Sequence, residues 1–126
     1  MTALTLDDVR RILREARDED RVPDLSGKDL SGMNLSVMDL SYADLSDANL
    51  SDANLTGVNL SGANLRGANL RSANLYRANL IDADLTGADL TDSDLCLADL
   101  RGATLAGANL AGADLGSANL RGAIRC

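Results

Sequence analysis

ANLRGANLRSANL, from Ala63 to Leu75, repeats one five-residue unit that continues in both directions along the chain. Leucine occupies every fifth position from Leu25 to Leu120, twenty times in succession. Alanine nearly always stands two residues before each leucine, and the residue between them is almost always Asn or Asp. A fixed internal period of this kind indicates a repeat architecture.

The five-residue period matches neither the 3.6-residue period of a helix nor the two-residue period of a strand. Within one unit, however, the alanine and the leucine are two residues apart, so in extended backbone their side chains point to the same side. The two residues after each leucine are mostly Ser, Thr, Arg, Gly or Asp, which favour turns. The sequence therefore predicts an all-β solenoid, in which each unit is a three-residue strand and a two-residue bend with Ala and Leu inside.

The A-(N/D)-L-x-x units resemble the pentapeptide-repeat family, and the resemblance covers about four-fifths of the chain. It implies a right-handed quadrilateral β-helix with four units in each coil. The handedness and the number of sides come from this resemblance alone. Twenty units would then make about five coils, and at the usual interstrand spacing the rod would be roughly 24 Å long.

The segment before the repeats departs from the five-residue period. Leu6, Val9 and Leu13 share one face of a helix, and Thr5 is suited to be its N-cap. Since the first coil of a solenoid would otherwise expose inner residues and unpaired strand edges, we expect the helix to cover that end. The alternative is a helix on a membrane surface, which its mixture of acids and arginines disfavours. We divide the chain into a capping helix with its connection (1–22), the repeat region (23–122) and a short tail (123–126).

The first coil carries inner residues other than alanine, namely Pro23, Lys28, Met33 and Met38. Methionine fills irregular gaps well, which suits a junction between a helix and a solenoid. A lysine cannot stay buried without a partner, so we expect the Lys28 side chain to extend beneath the helix toward Glu15 or Asp18.

Half of the twenty bends have glycine at their second position, where a positive φ is favourable. Val37, Tyr42, Arg77 and Leu97 occupy the same position in other bends. Because such residues resist positive φ, we predict that these four bends use a different turn from the glycine bends.

The residue between alanine and leucine points outward and recurs at coil spacing. Asn34, Asn54 and Asn74 are predicted to stack on one another, and their amides could hydrogen-bond along the axis.

Charged residues form belts around the predicted rod, and the chain carries a net charge of −7. Arg66, Arg71 and Arg77 lie between two acidic stretches, so we expect Arg66 to reach Asp47 and Asp84, and Arg71 to reach Asp52 or Asp92. The acidic belt after these arginines comprises Asp82, Asp84, Asp89, Asp92, Asp94 and Asp99.

No residue set for catalysis or cofactor binding is apparent. The chain has no histidine, so no Ser-His-Asp or Cys-His arrangement is possible. Cys96 and Cys126 lack the paired spacing of a zinc site and are predicted to lie on opposite faces, so we expect neither a metal site nor an internal disulfide. We predict a non-enzymatic protein without a cofactor. It is too acidic for direct nucleic-acid binding, has no apolar run that could cross a membrane, and is predicted to be cytoplasmic.

Two classes of function remain. The first is a scaffold that acts through protein–protein interaction, with an unknown partner. The second follows from the resemblance, because the family includes DNA-mimicking proteins that bind DNA gyrase and affect quinolone susceptibility. Duplex DNA carries a charge about every 1.7 Å of axis, so a rod of roughly 24 Å would have to present some fourteen charges. The repeat region offers about six net negative charges, interrupted by arginines, so we favour the scaffold.

Two surfaces are candidates for contacts with partners. Outward apolar residues concentrate along one side of the predicted rod, at Val37, Tyr42, Tyr76, Ile81, Cys96 and Leu97. The last coil would leave a sheet edge unpaired, which could support an end-to-end homodimer; the alternative is that the tail folds over this coil as a lid. The residues at that end are Leu115, Ala118, Leu120 and Ile124.

Overall fold

The computed structural model of the protein describes residues 4–125, in which one helix precedes a ladder of β-bridges. The helix, α1, spans Leu6–Asp18. Thr5 is its N-cap: the Thr5 side chain accepts a hydrogen bond from the Asp8 backbone N–H at 3.1 Å, and the Asp8 carboxylate accepts one from the Thr5 N–H at 3.0 Å. This reciprocal capping box confirms the predicted start of the helix.

The β-structure consists of isolated parallel bridges, one in each five-residue unit, and longer strands are not formed in the described part of the chain. Every bridge joins residues twenty positions apart, from Asp24 with Asp44 to Thr104 with Ile124. One turn of the solenoid therefore takes twenty residues, which is four units. The bridging residue is the middle one of each three-residue strand, before the leucine position, and it is Asn or Asp in every unit except those of Thr104 and Ile124.

Each unit is joined to the next coil by a fixed set of backbone hydrogen bonds. Leu25 N donates to Asp44 O at 2.8 Å, Asp44 N donates to Pro23 O at 2.8 Å, and Gly27 N donates to Ser46 O at 2.8 Å. A fourth bond, from Lys28 N to Leu25 O at 3.3 Å, closes the bend. Because this set recurs along the rod, the short strands are stabilised by coil-to-coil pairing, as in other solenoids.

The core is a stack of leucines and alanines along the axis. The leucines from Leu25 to Leu100 are fully buried, and Leu105 is 3% exposed. This confirms the predicted inward direction of the leucines. Leu110, Leu115 and Leu120 are only partly buried, since no described coil follows them. The one buried polar residue among the described residues, Ser93, donates its hydroxyl hydrogen to Leu90 O at 2.8 Å.

Helix α1 covers the first coil, as predicted. Val9, Leu13 and Ala16 are buried, and Val9 and Leu13 belong to the same cluster as the core leucines. Two carbonyls at the edge of this coil also receive donors from the N-terminal segment: Leu4 N donates to Asp29 O at 3.2 Å, and Arg17 Nη2 donates to Asp39 O at 2.7 Å. In later coils, the carbonyl oxygens at the equivalent positions accept hydrogen bonds from backbone N–H groups of the preceding coil. Helix α1 and its flanking residues therefore supply donors that a preceding coil would otherwise supply.

The expectation for Lys28 is wrong. Its side chain is exposed, and within residues 4–125 it forms no ion pair with Glu15 or Asp18. Arg17 makes the contact between helix and coil instead, through Asp39. The Lys28 ammonium group is therefore hydrated and needs no buried partner.

The prediction of a different turn at four bends is also wrong. The φ angles of Val37, Tyr42, Arg77 and Leu97 are 53°, 61°, 58° and 60°, close to the values at the glycine bends. The hydrogen-bond set explains this: Val37 N still donates to Thr56 O at 2.9 Å, and Met38 N donates to Leu35 O at 3.2 Å. The ladder imposes one backbone geometry on every bend, and the local preference of the residue yields to it.

Candidate protein-interaction surface

One side of the rod carries the outward apolar residues, and we call it the apolar side. In each turn of the solenoid, this side comprises one three-residue strand and the two bends that flank it. Its residues are 36–42, 56–62, 76–82, 96–102 and 116–122. Val37 is 80% exposed, Tyr42 69% and Leu97 43%. Tyr76, Ile81 and Cys96 are half-buried. The structure thus brings all six predicted residues to this side, on its two edges.

Two of these side chains extend along the rod over glycines of the next coil. Val37 Cγ1 lies 3.2 Å from the position that a Cβ at Gly57 would occupy, and Tyr42 Cε1 lies 2.5 Å from the corresponding position at Gly62. The apolar surface of the first coil therefore continues onto the second coil on both edges.

The middle of the apolar side is lined by Asn59 and Asn79. The side-chain oxygen of Asn59 accepts hydrogen bonds from Ser61 N at 3.0 Å and Ser61 Oγ at 2.7 Å, and that of Asn79 accepts one from Ile81 N at 3.0 Å. The predicted amide-to-amide bonding is therefore wrong in detail: the residues stack at coil spacing, but their oxygens bind the backbone two residues later. This local bond fixes the start of each bend.

Charges on the apolar side balance. Asp39 pairs with Arg17 of α1 at 3.6 Å, and Asp99 pairs with Arg101 at 2.7 Å. Arg77 lies over the ring of Tyr76, with 5.4 Å between the guanidinium carbon and the ring centroid. The side carries three acids and three arginines: Asp39, Asp82, Asp99, Arg77, Arg101 and Arg121.

Half of the six aspartates of the predicted acidic belt pair with arginines. Arg66 binds Asp84 at 3.2 Å, as predicted, but forms no ion pair with Asp47 within the described residues. Arg71 binds Asp89 at 3.2 Å and neither Asp52 nor Asp92. Arg66 and Arg71 each stand at the first position of a bend. From this position the side chain reaches the outward-pointing aspartate eighteen residues later, in the strand stacked above the one that precedes the bend. Asp82 and Asp92 are exposed, and Asp94 is half-buried.

Hydrogen bonds favour the charged form of Asp84 and Asp89, the two carboxylates that bind Arg66 and Arg71. The pKa of Asp89 is lowered mainly by the Thr91 hydroxyl and backbone N–H, with a smaller effect of Arg71. At Asp84, desolvation acts to raise the pKa, but hydrogen bonds from Thr86 and Arg66 lower it on balance.

Cys96 lies between two carboxylates, Asp94 and Asp114, which the twenty-residue turn brings together. The three ligand-type atoms are within 4.8 Å of one another. Hydrogen bonding to Asp114 and Asp94 raises the pKa of the Cys96 thiol to about 11. At neutral pH this thiol is therefore protonated and donates to the carboxylates. Its predicted relation to Cys126 cannot be compared, since Cys126 lies outside the described residues.

At the far end, the ladder continues into the tail. Ile124 N donates to Ala103 O at 2.8 Å, and Leu105 N donates to Ile124 O at 2.5 Å. Up to Ile124 the tail thus extends the ladder and does not fold back as a lid. Ile124 is 51% exposed, and Leu115, Ala118 and Leu120 are half-buried. The end-to-end dimer through these residues stays a prediction.

Residues 4–125 enclose no pocket, and none of their helices has the length and apolar character that spanning a bilayer requires.

Comparisons with known proteins identify the repeat. The family model described as pentapeptide repeats matches residues 24–57, 53–92 and 83–122. No curated protein matches the chain.

Among solved structures, a pentapeptide repeat protein (Rfr23) from the cyanobacterium Cyanothece 51142 is similar at 28% identity, with 93% of this chain and 99% of that chain covered and a TM-score of 0.46. A pentapeptide repeat protein of the Arabidopsis thaliana thylakoid lumen shares 32% identity over 78% of this chain and 65% of its own, with a TM-score of 0.37. QnrB1, a plasmid-mediated fluoroquinolone resistance protein, shares 22% identity over 79% of this chain and 58% of its own, with a TM-score of 0.42.

The chain spans less than two thirds of the length of the last two proteins. All three TM-scores are below 0.5, so the assignment is carried by the family model, which covers most of the chain and indicates no enzyme family. The resemblance seen in the A-(N/D)-L-x-x units is confirmed, and the chain belongs to the pentapeptide-repeat family.

Proposed function

We propose that this protein is a non-enzymatic scaffold that binds a partner protein through the apolar side. The observation that carries the proposal is that three large apolar residues, Val37, Tyr42 and Leu97, are exposed on this one side of the rod. Exposed apolar area is hydrated, which is unfavourable for a single chain. Contiguous exposed apolar patches are typical of protein-interaction sites.

The charge of this side supports the same function. Apolar residues flank a strip on which acids and arginines balance, within a chain of net charge −7. Charged residues are depleted from the centres of protein interfaces, and aromatic residues and arginine are enriched there. Tyr76 with Arg77, and Tyr42, are residues of these types.

We further propose that the four units of each turn form a right-handed quadrilateral coil, and that the repeats make about five such coils. The twenty-residue bridge spacing supports four sides. A rod of this form offers a flat side along its whole length, which suits a partner that lies along the axis. We expect it to act in the cytoplasm.

DNA mimicry remains the alternative, and the pairing of the acidic belt argues against it. Asp84, Asp89 and Asp99, half of the six aspartates, bind arginines. A surface that imitates a duplex has to present uninterrupted negative charge.

A binding experiment tests the scaffold function. The immobilised protein is used to capture partners from its source organism, and Tyr76→Ala and Ile81→Ser are compared with Ser51→Ala, which lies away from the apolar side. We expect the first two variants to retain much less of a specific partner. Equal retention by all three would disprove the role of this side.

A further inference from the structure

We propose that the apolar side also binds a second copy of this chain, in a dimer of parallel rods that lie side by side. The inference rests on the proposed function of that side, and it identifies one binding partner, a second copy of the chain. The two-fold axis runs parallel to the rods, between the two apolar sides. Closed two-fold dimers use the same surface on both subunits, so the surface has to be complementary to itself.

The order of the bends along the chain determines which residues would meet. The bends 36–37 and 41–42 come before and after one strand unit, so they lie on opposite edges of the apolar side at the same height. The bends 76–77 and 81–82 are related in the same way, two coils further along. A two-fold axis parallel to the rod brings the first edge of one copy opposite the second edge of the other, at equal height.

Apolar residues then meet apolar residues. In the first coil, Val37 of one copy faces Tyr42 of the second copy, and these two are the most exposed large apolar residues of the apolar side. In the third coil, Tyr76 faces Ile81 of the second copy. Both contacts occur twice because of the symmetry, and they bury side chains that a single chain leaves in water.

Charges in the third coil are complementary in the same arrangement. Arg77 follows Tyr76 and Asp82 follows Ile81, so Arg77 faces Asp82 of the second copy. Neither residue forms a salt bridge within the described part of a single chain. The dimer would give each of them a partner, also twice.

The remaining sides oppose any other lateral approach. From Asp24 to Arg125, the residues outside the apolar side include ten acids and four bases, a net charge of −6, whereas the apolar side is neutral. Two copies that approach through other sides therefore repel each other, and this repulsion weakens in salt. Because the other sides repel one another, the neutral apolar side is the surface through which two rods can associate.

Charge exchange tests this arrangement on the 126-residue chain. Molar mass is measured by light scattering and sedimentation over a range of concentrations, for the wild type, Arg77→Asp, Asp82→Arg and the double variant. Each single change places like charges opposite each other twice, so we expect dimerisation to weaken about tenfold or more. The double variant restores opposite charges and should dimerise like the wild type.

The bends tolerate these changes, because Asp occupies the same strained position at Asp47 and Asp92, and arginine does so at Arg77. Asp92→Arg is the matched control: Asp92 has the same φ region as Asp82 and also lies over a glycine of the next coil, but on another side of the rod. We expect it to leave the dimer intact.

A wild-type monomer at all concentrations overturns the proposal, as does a dimer that the single exchanges leave unchanged or that the double variant does not restore. A dimer that is lost in Ile124→Asp but not in Arg77→Asp would show an end-to-end contact instead and would also overturn it. The scaffold function is decided separately, by capture of a different protein with Tyr76→Ala and Ser51→Ala.

Discussion

The ring of Tyr42 lies over Gly62, one coil further along the rod. A Cβ at residue 62 would stand 2.5 Å from Tyr42 Cε1 and 2.6 Å from Cδ1, which is closer than side chains can approach. Asp82 is placed in the same way over Gly102. In the left-handed conformation of the bend, the second bend residue directs its side chain toward the next coil, so these bend residues are paired with the glycine twenty positions later.

This pairing predicts the effect of adding one methyl group at Gly62. Gly62→Ala should cost roughly 1–2 kcal/mol for the positive φ, which is +65° here, and about 1–3 kcal/mol more for the overlap with Tyr42. Gly87→Ala is the control, because its φ is +69° but nothing lies within 4 Å of the added Cβ. Urea unfolding measures both, and adding Tyr42→Ala to Gly62→Ala should recover the overlap contribution. Equal losses at the two glycines would contradict the contact.

Core truncations should depend on position along the rod. Leu70 is fully buried between coils, so Leu70→Ala is expected to destabilise by about 2–5 kcal/mol. Leu120 occupies the same place in its unit but is only partly buried in the last described coil, so Leu120→Ala should cost less than half as much. Urea unfolding of the two variants measures this difference. Similar losses would indicate that the last coil is covered in solution.

The sequence predicts those features of the fold that depend on the five-residue period and on residue type. It does not predict features that depend on contacts with a neighbouring coil. The inward leucines and the Thr5 cap follow from spacing and residue type, and the structure confirms both. The conformation of Val37 does not, because a residue preference cannot report the hydrogen bonds that a neighbouring coil supplies. The pairing of Arg71 with Asp89 depends on the direction that a side chain takes from its bend, which spacing alone leaves open. The contact of Cys96 with Asp114 follows from the twenty-residue turn. It was not predicted, because only residues of the same type were considered for stacking between coils.

Acid should destabilise the rod through its hydrogen-bonded carboxylates. The pKa of Asp29 is lowered by the Ser31 hydroxyl and backbone N–H, and that of Asp89 by the same groups of Thr91. A group with a lowered pKa in the folded state stabilises it above the pKa of the unfolded chain, about 3.9 for Asp, and this stabilisation is lost as the pH falls through the folded-state value. We expect the free energy of unfolding to decrease below about pH 4 and on toward the lower folded-state values.

Replacement by asparagine isolates one of these groups. Asp29→Asn should keep its hydrogen bonds, since Asn49 one coil later binds Ser51 N at 3.0 Å and Ser51 Oγ at 2.7 Å. The variant should therefore lose less stability on acidification than the wild type. Asp52→Asn is the control, because the Asp52 carboxylate accepts no hydrogen bond from the described residues. An unchanged acid sensitivity in Asp29→Asn would count against the role of Asp29.

The capping helix should depend on one arginine. Arg17 donates to Asp39 O at 2.7 Å and lies 3.6 Å from the Asp39 carboxylate, so Arg17→Ala leaves an edge carbonyl without its donor. We expect a loss of about 1 kcal/mol and faster hydrogen exchange of the first-coil amides. Arg14→Ala is the control, because Arg14 is exposed and makes no ion pair within residues 4–125. If both variants exchange at the wild-type rate, the helix is held by its apolar face alone.

The two function classes differ in what they predict for DNA gyrase. A DNA mimic should inhibit supercoiling, and the exposed or half-buried aspartates of the belt, Asp82 and Asp92 above all, should carry the effect. Because Asp84, Asp89 and Asp99 are bound to arginines, we expect no inhibition at micromolar concentrations. The assay is run at two salt concentrations, since electrostatic association weakens with ionic strength. Inhibition that falls with salt and disappears in Asp82→Asn with Asp92→Asn, but persists in Tyr76→Ala, would replace the scaffold with mimicry. Inhibition that Tyr76→Ala abolishes would instead make gyrase a partner of the apolar side.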